Sequence, residues 1–260
     1  MQKGNNNWPH PLLFLQMALL AIDNDECIGS WGDLSILYSV YSITHKRPPT
    51  AALFVDMITT TGCVRPGLRH AYDTFCRLRS EGQLAGIYMC TAARDDRGWV
   101  SFLREVLETW YGARVYDGVI HGGMIEAWHA YAGTQHIDSV GSVNKPMDMV
   151  RQMAGAPANV LVLAIDDRPD NILGGISIGV SKYAVAVNVL AIGRLCILNW
   201  EDLVGKVYDA TLQSSWNAYQ ARPAMFSDSC EQELLAATSA VEYYLRGHGG
   251  SLPSVCACDK

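Results

Sequence analysis

The sequence predicts an α/β fold with a parallel sheet and helices on both of its faces. Short apolar runs typical of buried strands recur along the chain, segments with helical periodicity separate them, and 49% of the 260 residues are hydrophobic. Strands that alternate with helical segments of about 10 to 15 residues indicate βαβ units, which build parallel sheets. The charged fraction of 18% excludes a disordered chain, which needs low hydrophobicity and high charge.

The first quarter of the chain predicts an arm, a strand and an insert. Residues 1–16 begin with an Asn-rich stretch and are predicted as an N-terminal arm. The apolar run 12–22, which ends at an acidic cluster, predicts the first buried strand. The β-type runs 34–43 and 51–58 are separated by two consecutive prolines, so they predict a hairpin-like insert near 28–64.

The rest of the chain alternates predicted helices and strands. In chain order these are a helix over 68–78 with Gly82 as terminator, a strand over 85–90, a helix from Asp95 to Gly112, a strand over 115–120, a helix over 145–154, and strands over 160–165 and 183–190. Together they predict a core over 17–198, with a second, less regular insert near 113–143. Residues 199–260 are predicted as a helical C-terminal extension, with helices over 200–212 and 231–245, and a tail.

Composition and charge narrow the classes of function. A net charge of −6 argues against a nucleic-acid partner, because binding by counterion release needs clustered Lys and Arg. The longest apolar run, 12–22, is shorter than the ~18 residues of a membrane span. The chain shows no pattern of a signal peptide, and its eight cysteines include no CxxC pair. We therefore expect an intracellular protein of the cytoplasm or nucleus, with an oligomeric state that the sequence leaves open.

Polar side chains follow three of the predicted strands at their carboxyl ends. Asp23-Asn24-Asp25-Glu26-Cys27 follows the first strand, Thr91 follows the strand 85–90, and Asp166-Asp167 follows the strand 160–165. Lys145 opens the short helix that precedes the last of these. Each motif is weak in isolation, since a lone Thr is usually a turn residue and a lone Lys is usually solvated. Their joint order favours one shared site, because ligands bind beyond the carboxyl ends of parallel strands.

This order of motifs resembles the haloacid dehalogenase (HAD) superfamily, whose core is a Rossmannoid parallel sheet. The D-x-D-E sequence of residues 23–26, the turn Arg65-Pro66-Gly67 and the strand that ends in Thr91-Ala92 are similar to the CTD phosphatase (NLI-interacting-factor-like) branch. Residues 165–172 resemble the fourth HAD motif in its D-D form. The resemblance covers residues 17–190. Two positions depart from it, because Cys27 stands where the branch usually has Thr and Asn24 where it usually has Leu.

The resemblance implies a role for each motif residue in phosphoryl transfer. Asp23 would be the nucleophile that forms an aspartyl phosphate, and Asp25 the general acid and base. Mg²⁺ would be held by Asp23, the main-chain carbonyl of Asp25, and Asp167, since Mg²⁺ prefers oxygen ligands. Thr91 and Lys145 would bind the phosphoryl oxygens. The second acid, Asp25, argues against a dehalogenase.

The leading hypothesis is a Mg²⁺-dependent phosphomonoester hydrolase that takes a phosphorylated substrate, with a protein Ser/Thr phosphatase as its most specific form. Two alternatives stay open. One is a small-metabolite phosphatase on the same core. The other is a non-catalytic HAD-fold structural or interaction protein, for example in the assembly of a large DNA virus. The complete set of motif residues favours an enzyme, whereas Cys27 and the unmatched C-terminal segment favour a scaffold.

Several other polar residues are interpreted as structural. His121, His129 and His136 do not have the spacing of zinc ligands. Asp56 follows an apolar run, as Asp23 does, but has no second carboxylate two residues later. For the metal, Asp166 is expected to matter less than Asp167.

Overall fold

The computed structural model describes residues 17–95, 97–138, 141–183, 185 and 230–247. In these ranges the strands are β1 (Ala18–Ile22), β2 (Leu84–Cys90), β3 (Gly118–Ile120), β4 (Lys145–Pro146), β5 (Leu161–Asp166), β6 (Ile172–Leu173) and β7 (Ile176–Gly179). The helices are α1 (Gly32–His45), α2 (Ala51–Thr61), α3 (Leu68–Ser80), α4 (Trp99–Tyr111), α5 (Gly122–Ala132), α6 (Met147–Ala154) and α7 (Cys230–Leu245).

The central sheet of the described residues has five parallel strands in the order β3-β2-β1-β5-β7. Strands β4 and β6 form a separate parallel pair. The chain adds β2 and β3 on one side of β1 and then returns to place β5 and β7 on the other side. Ligands of open α/β sheets bind at the carboxyl ends of the strands where this order reverses. The predicted α/β fold with a parallel sheet is confirmed.

Helices cover both faces of the sheet. Helices α1 to α4 and α7 share one hydrophobic core with one face, whereas α5 and α6 cover the other. Successive residues of β1 alternate accordingly, with Leu20 and Ile22 in the first core and Leu19 and Ala21 in the second. This arrangement agrees with the prediction. In the described ranges, none of the helices is both long and apolar enough to cross a bilayer.

The prediction of a hairpin-like insert near 28–64 is wrong, because helices α1 and α2 occupy this segment. The buried residues of α2 recur at helical spacing, among them Phe54, Met57 and Ile58. The abundance of β-branched and aromatic residues suggested strands. Packing decides otherwise, since the buried side of α2 lies on α4 and contributes Phe54 to an aromatic cluster with Trp99.

Two further predictions differ from the structure, and one strand was missed. Lys145 does not open a helix but lies in β4, and α6 begins two residues later, at Met147. The segment 122–143 begins with the regular helix α5. Strand β7 was not predicted, whereas the predicted strand 183–190 lies mostly outside the described residues. The short strands were missed because their pairing depends on distant segments and leaves no local periodicity.

The remaining elements lie close to their predicted positions. Helices α3 and α4 are confirmed, and Gly112 ends α4 in the left-handed conformation, with φ of 92°. Strands β2 and β5 and helix α7 are confirmed as well. The predicted arm 1–16 and the predicted helix 200–212 lie outside the described residues. The predicted bounds of the core, the inserts and the extension stay predictions.

Candidate active site

Asp23 stands at the carboxyl end of β1, in the middle of the sheet. Its backbone N–H donates to the carbonyl of Ile165 at 2.9 Å, which extends the pairing of β1 with β5 by one residue. The chain then turns sharply, as the N–H of Glu26 donates to the carbonyl of Gly29 at 2.8 Å. Glu26 adopts φ of 62°, which is uncommon for a residue other than glycine. Residues 23–29 therefore form a tight loop, called here the nucleophile loop after the role that the resemblance implies for Asp23.

Lys145 lies buried between two carboxylates. Its Nζ donates to Asp23 Oδ1 at 2.6 Å and to Asp166 Oδ2 at 2.8 Å. Burial by itself lowers the pKa of Lys145, but the two carboxylates more than offset this and raise it above its ordinary value. The ammonium is therefore charged, and it links the ends of β1 and β5.

Negative charge exceeds positive charge around Lys145. Carboxylate oxygens of Asp23, Asp166 and Asp167 all lie within 4.8 Å of one another. Burial above all, together with the neighbouring carboxylates of Asp167 and Asp25, raises the pKa of Asp23 to about 7 against the opposing effect of Lys145. Burial, together with the charge of Asp23, raises the pKa of Asp166 to about 6. Like charges held this close favour a bound cation.

The oxygen atoms of this cluster suit Mg²⁺. Mg²⁺ is held by a few carboxylates and keeps several other positions for water or phosphate. Lys145 already occupies one oxygen of Asp23 and one of Asp166, while Asp167 is only half-buried and forms part of the cavity wall. Asp23 and Asp167 would therefore hold the ion. The carboxylate of Asp25 is not part of this cluster.

Asp25 and Thr91 form a second polar pair at the same edge of the sheet. Thr91 follows β2, and its Oγ1 donates to Asp25 Oδ2 at 3.2 Å while accepting from the N–H of Ala93 at 3.1 Å. Burial raises the pKa of Asp25, although the hydrogen bond from Thr91 and the charge of Lys145 oppose this. A carboxyl group with a raised pKa is suited to give and take a proton.

The five predicted site residues all line one cavity of about 220 Å³: Asp23, Asp25, Thr91, Lys145 and Asp167. They come from the ends of β1, β2 and β5 and from β4, so the structure brings together every residue that the motifs singled out. Their chemical roles stay predictions.

Sequence reasoning missed the importance of Asp166. Its Oδ2 accepts from Lys145, and its Oδ1 accepts from the N–H of Arg168 at 2.7 Å. The D-D motif signalled a carboxylate at this position, but which of the two acids faces Lys145 depends on the direction of the strand end. Arg168 and Ser142 also line the cavity, and the Arg168 guanidinium donates to the Ser142 hydroxyl. No sequence signal pointed to this pair, which is 26 residues apart.

Cys27, where the resemblance expects Thr, belongs to the core. It is fully buried, and its Sγ lies 3.7 Å from the carbonyl oxygen of Ile165 in β5. Burial and the charges of the neighbouring carboxylates, above all Asp23, raise the pKa of the Cys27 thiol well above its ordinary value. The thiol is therefore uncharged and plays a packing role in the nucleophile loop.

His129 agrees with its interpretation as a structural residue. It is buried, its Nδ1 lies 2.7 Å from Thr134 Oγ1, and its Nε2 lies 2.9 Å from the carbonyl oxygen of Asn144. These bonds hold the chain just before Lys145. Gly122, at the start of α5, packs so closely on the loop after Thr91 that a Cβ there would lie 2.2 Å from the carbonyl oxygen of Ala92.

Comparisons with known proteins find only weak similarity to the chain. No protein-family model and no curated protein matches the chain. Among solved structures, the crystal structure of β-phosphoglucomutase from Clostridium difficile is similar at 10% identity and a TM-score of 0.36, over 79% of this chain and 100% of that one. A similarity of this extent assigns neither fold nor activity. The fold rests on the strand order, and the site rests on its geometry.

Proposed function

We propose that this chain is a Mg²⁺-dependent phosphomonoester hydrolase that works through a phosphorylated Asp23, as the resemblance to the HAD superfamily implies. One observation carries the proposal. Lys145 is buried between Asp23 and Asp166, next to the third carboxylate of Asp167, and this cluster opens into a cavity. A structural ion pair needs one carboxylate per ammonium, whereas this one has an excess of negative charge that a metal ion and a phosphate together would balance.

Residues of the cluster have separate roles in the first step, the transfer of the phosphoryl group to Asp23. Lys145 Nζ donates to Asp23 Oδ1 at 2.6 Å and so orients the carboxylate for attack on phosphorus. Lys145 then stabilises the negative charge that develops on the phosphoryl oxygens. Mg²⁺ would be held by Asp23, the main-chain carbonyl of Asp25, and Asp167, and it would neutralise part of the charge of the phosphate.

Asp25 acts as the general acid and then as the general base. Its raised pKa lets it protonate the leaving oxygen, and the resulting carboxylate takes a proton from the water that cleaves the acyl phosphate of Asp23. Thr91 holds the Asp25 carboxylate through its hydrogen bond of 3.2 Å. The reaction ends with free phosphate, and Asp23 and Asp25 return to their starting protonation states.

The size of the cavity supports a phosphorylated side chain as substrate. Small-molecule sites usually enclose about 300–1,000 Å³, and this cavity of about 220 Å³ is smaller. It accommodates a phosphate group and a few further atoms, as a phosphoserine or phosphothreonine presents them. The rest of such a substrate would stay outside the cavity, which favours the protein Ser/Thr phosphatase hypothesis over a bulkier metabolite.

Hydrolysis of an aryl phosphate with Mg²⁺ and with excess chelator tests the proposal. We expect turnover only with Mg²⁺, its loss in Asp23→Asn, and full activity in Asp56→Asn. Asp56 is a matched control because it also follows an apolar run but is exposed on α2, away from the cavity. Circular dichroism checks that each variant is folded. A folded wild type without Mg²⁺-dependent hydrolysis would support the scaffold alternative, and turnover of phosphopeptides over phosphorylated metabolites would support the protein phosphatase.

A further inference from the structure

Arg65 places a second fully buried cation close to the nucleophile loop. Its side chain is 0% exposed. Its Nη1 donates to the carbonyl of Cys27 at 3.0 Å and to the carbonyl of Ser181 at 2.7 Å, and its Nε donates to the carbonyl of Cys230 at 2.9 Å. One guanidinium therefore joins the nucleophile loop, the segment after β7 and the start of α7.

Helix α7 supplies the counter-charge of Arg65. Oε2 of Glu233, in the first turn of α7, lies 2.8 Å from Arg65 Nη2. The same oxygen accepts from the N–H of Ser181 at 3.0 Å and from the Ser181 hydroxyl. A buried guanidinium without such a partner is strongly destabilising, so Glu233 and Arg65 depend on each other.

The segment that Glu233 holds also bonds directly to the nucleophile loop. The N–H of Tyr183 donates to the carbonyl of Glu26 at 2.6 Å, and Lys182 forms an ion pair with the Glu26 carboxylate. The Tyr183 hydroxyl donates to the carbonyl of Gly62 at 2.6 Å. Glu26, with its left-handed backbone, is thus fixed by neighbours that Ser181 anchors to α7.

We infer that Arg65 and Glu233 are positioning residues for the nucleophile loop, which makes helix α7 part of the machinery of the site. Their effect runs from Glu233 through the guanidinium to the carbonyl of Cys27. Within the loop, the N–H of Ile28 donates to the carbonyl of Asn24, next to Asp23, at 3.3 Å. The effect on turnover rests on the proposed function, because a misplacement of about 1 Å costs on the order of a hundredfold in rate. The effect on loop order does not rest on it.

The chain contains a matched control for this contact. Arg77 of α3 and Glu242 of α7 form a second ion pair between an arginine and helix α7. This pair is partly exposed, with 47% and 25% of the two side chains accessible. In the described part of the chain, the side-chain hydrogen bonds of Arg77 go to Glu81 and Glu242 and none goes to the nucleophile loop. Removing it weakens the attachment of α7 without disturbing the loop.

Hydrogen exchange read by mass spectrometry, together with kcat and KM for an aryl phosphate, tests the inference in Glu233→Gln and Glu242→Gln. In Glu233→Gln we expect exchange in the peptide over 23–31 to accelerate on the order of tenfold, the effect of a lost charge-assisted hydrogen bond. Exchange in β5 should stay at the wild-type rate. We also expect kcat to fall with little change in KM, and Glu242→Gln to match the wild type in both measurements.

Ser181→Ala covers the case in which Glu233→Gln does not fold, because it removes only the hydroxyl that bonds to Glu233. It should accelerate exchange in the same peptide by a smaller factor. Wild-type exchange over 23–31 in the folded variants, or equal acceleration in Glu242→Gln, would overturn the inference. A wild type that hydrolyses no phosphate ester would overturn the proposed function alone, since the exchange measurement still decides the role of Arg65 and Glu233.

Discussion

Lys145 and Arg65 are the two buried cations of the described residues, and their surroundings are opposite. The ammonium of Lys145 bonds to two carboxylates, has a third nearby, and faces a cavity. The guanidinium of Arg65 bonds to three carbonyl oxygens, one hydroxyl and one carboxylate. The environment of Lys145 has an excess of negative charge and a cavity beside it. The environment of Arg65 instead satisfies the donors of its planar guanidinium with surrounding oxygen atoms.

The difference matches the two proposed roles, which are catalysis for Lys145 and positioning for Arg65. A compact lysine ammonium leaves neighbouring carboxylate oxygens free, so Asp23 can serve both as a partner of Lys145 and as a nucleophile. A guanidinium with satisfied N–H groups fixes the positions of the segments around it, because its donors have a rigid geometry. In the proposed function Lys145 takes part in the chemistry, and in our inference Arg65 positions the loop that carries Asp23.

Replacement of Lys145 should have the largest effect. We expect Lys145→Met to lower kcat/KM for an aryl phosphate by about 10²–10³-fold, because the charge that stabilises the phosphoryl oxygens is lost. Lys46→Met, at an exposed position at the end of α1, serves as the control and should keep full activity. Steady-state kinetics at saturating Mg²⁺ makes the measurement. A variant that keeps more than a small fraction of the wild-type rate would remove Lys145 from the site.

The two acids after β5 should differ in their effect on the metal. We expect Asp167→Asn to raise the Mg²⁺ concentration for half-maximal activity about tenfold or more, because the proposal makes the Asp167 carboxylate a direct ligand. Asp166→Asn should mainly lower thermal stability, since it leaves Lys145 with one fewer buried partner. Mg²⁺ titrations and thermal midpoints of both variants make the comparison. Equal Mg²⁺ requirements of Asp167→Asn and the wild type would contradict the metal role.

The sequence predicted which residues lie together at the cavity better than it predicted the secondary structure around them. The residues at the strand ends could be found because a strand has a local apolar pattern and its last residue has a defined position. Helices α1 and α2 could not be found in the same way, because β-branched and aromatic residues such as Ile36 and Tyr41 favour strands locally. The contacts of Arg65 could not be predicted, since its partner Glu233 lies 168 residues away.

Asn24 should give a smaller effect, on stability. It is 1% exposed, and neither its Nδ2 nor its Oδ1 bonds to any group in the described part of the chain. Because a buried amide without a partner costs about 1–3 kcal/mol, we expect Asn24→Leu to raise the free energy of unfolding by about 1 kcal/mol. Urea denaturation measures this difference. A less stable variant would show that the amide has a bonded partner, such as a water molecule.

Cys27 should have the smallest effect. We expect Cys27→Thr to raise kcat a few-fold at most, because a hydroxyl donates more strongly than a thiol to the Ile165 carbonyl, and a neutral hydrogen bond contributes about 0.5–1.5 kcal/mol. The rate and the thermal midpoint are measured together. A lower midpoint without a gain in rate would mean that the loop has packed around the sulfur, and the expected gain would then be wrong.

Direct detection of phosphate on Asp23 tests the central claim most sharply. In Asp25→Asn, an aryl phosphate with a good leaving group should still phosphorylate Asp23, while the base that activates the hydrolytic water is missing. We therefore predict that acid quenching and mass spectrometry will find one phosphoryl group on the peptide that contains Asp23, labile to hydroxylamine and dependent on Mg²⁺. Phosphate on another residue would contradict the account. So would the absence of phosphate on Asp23 in both the folded Asp25→Asn variant and a folded wild type that hydrolyses the substrate.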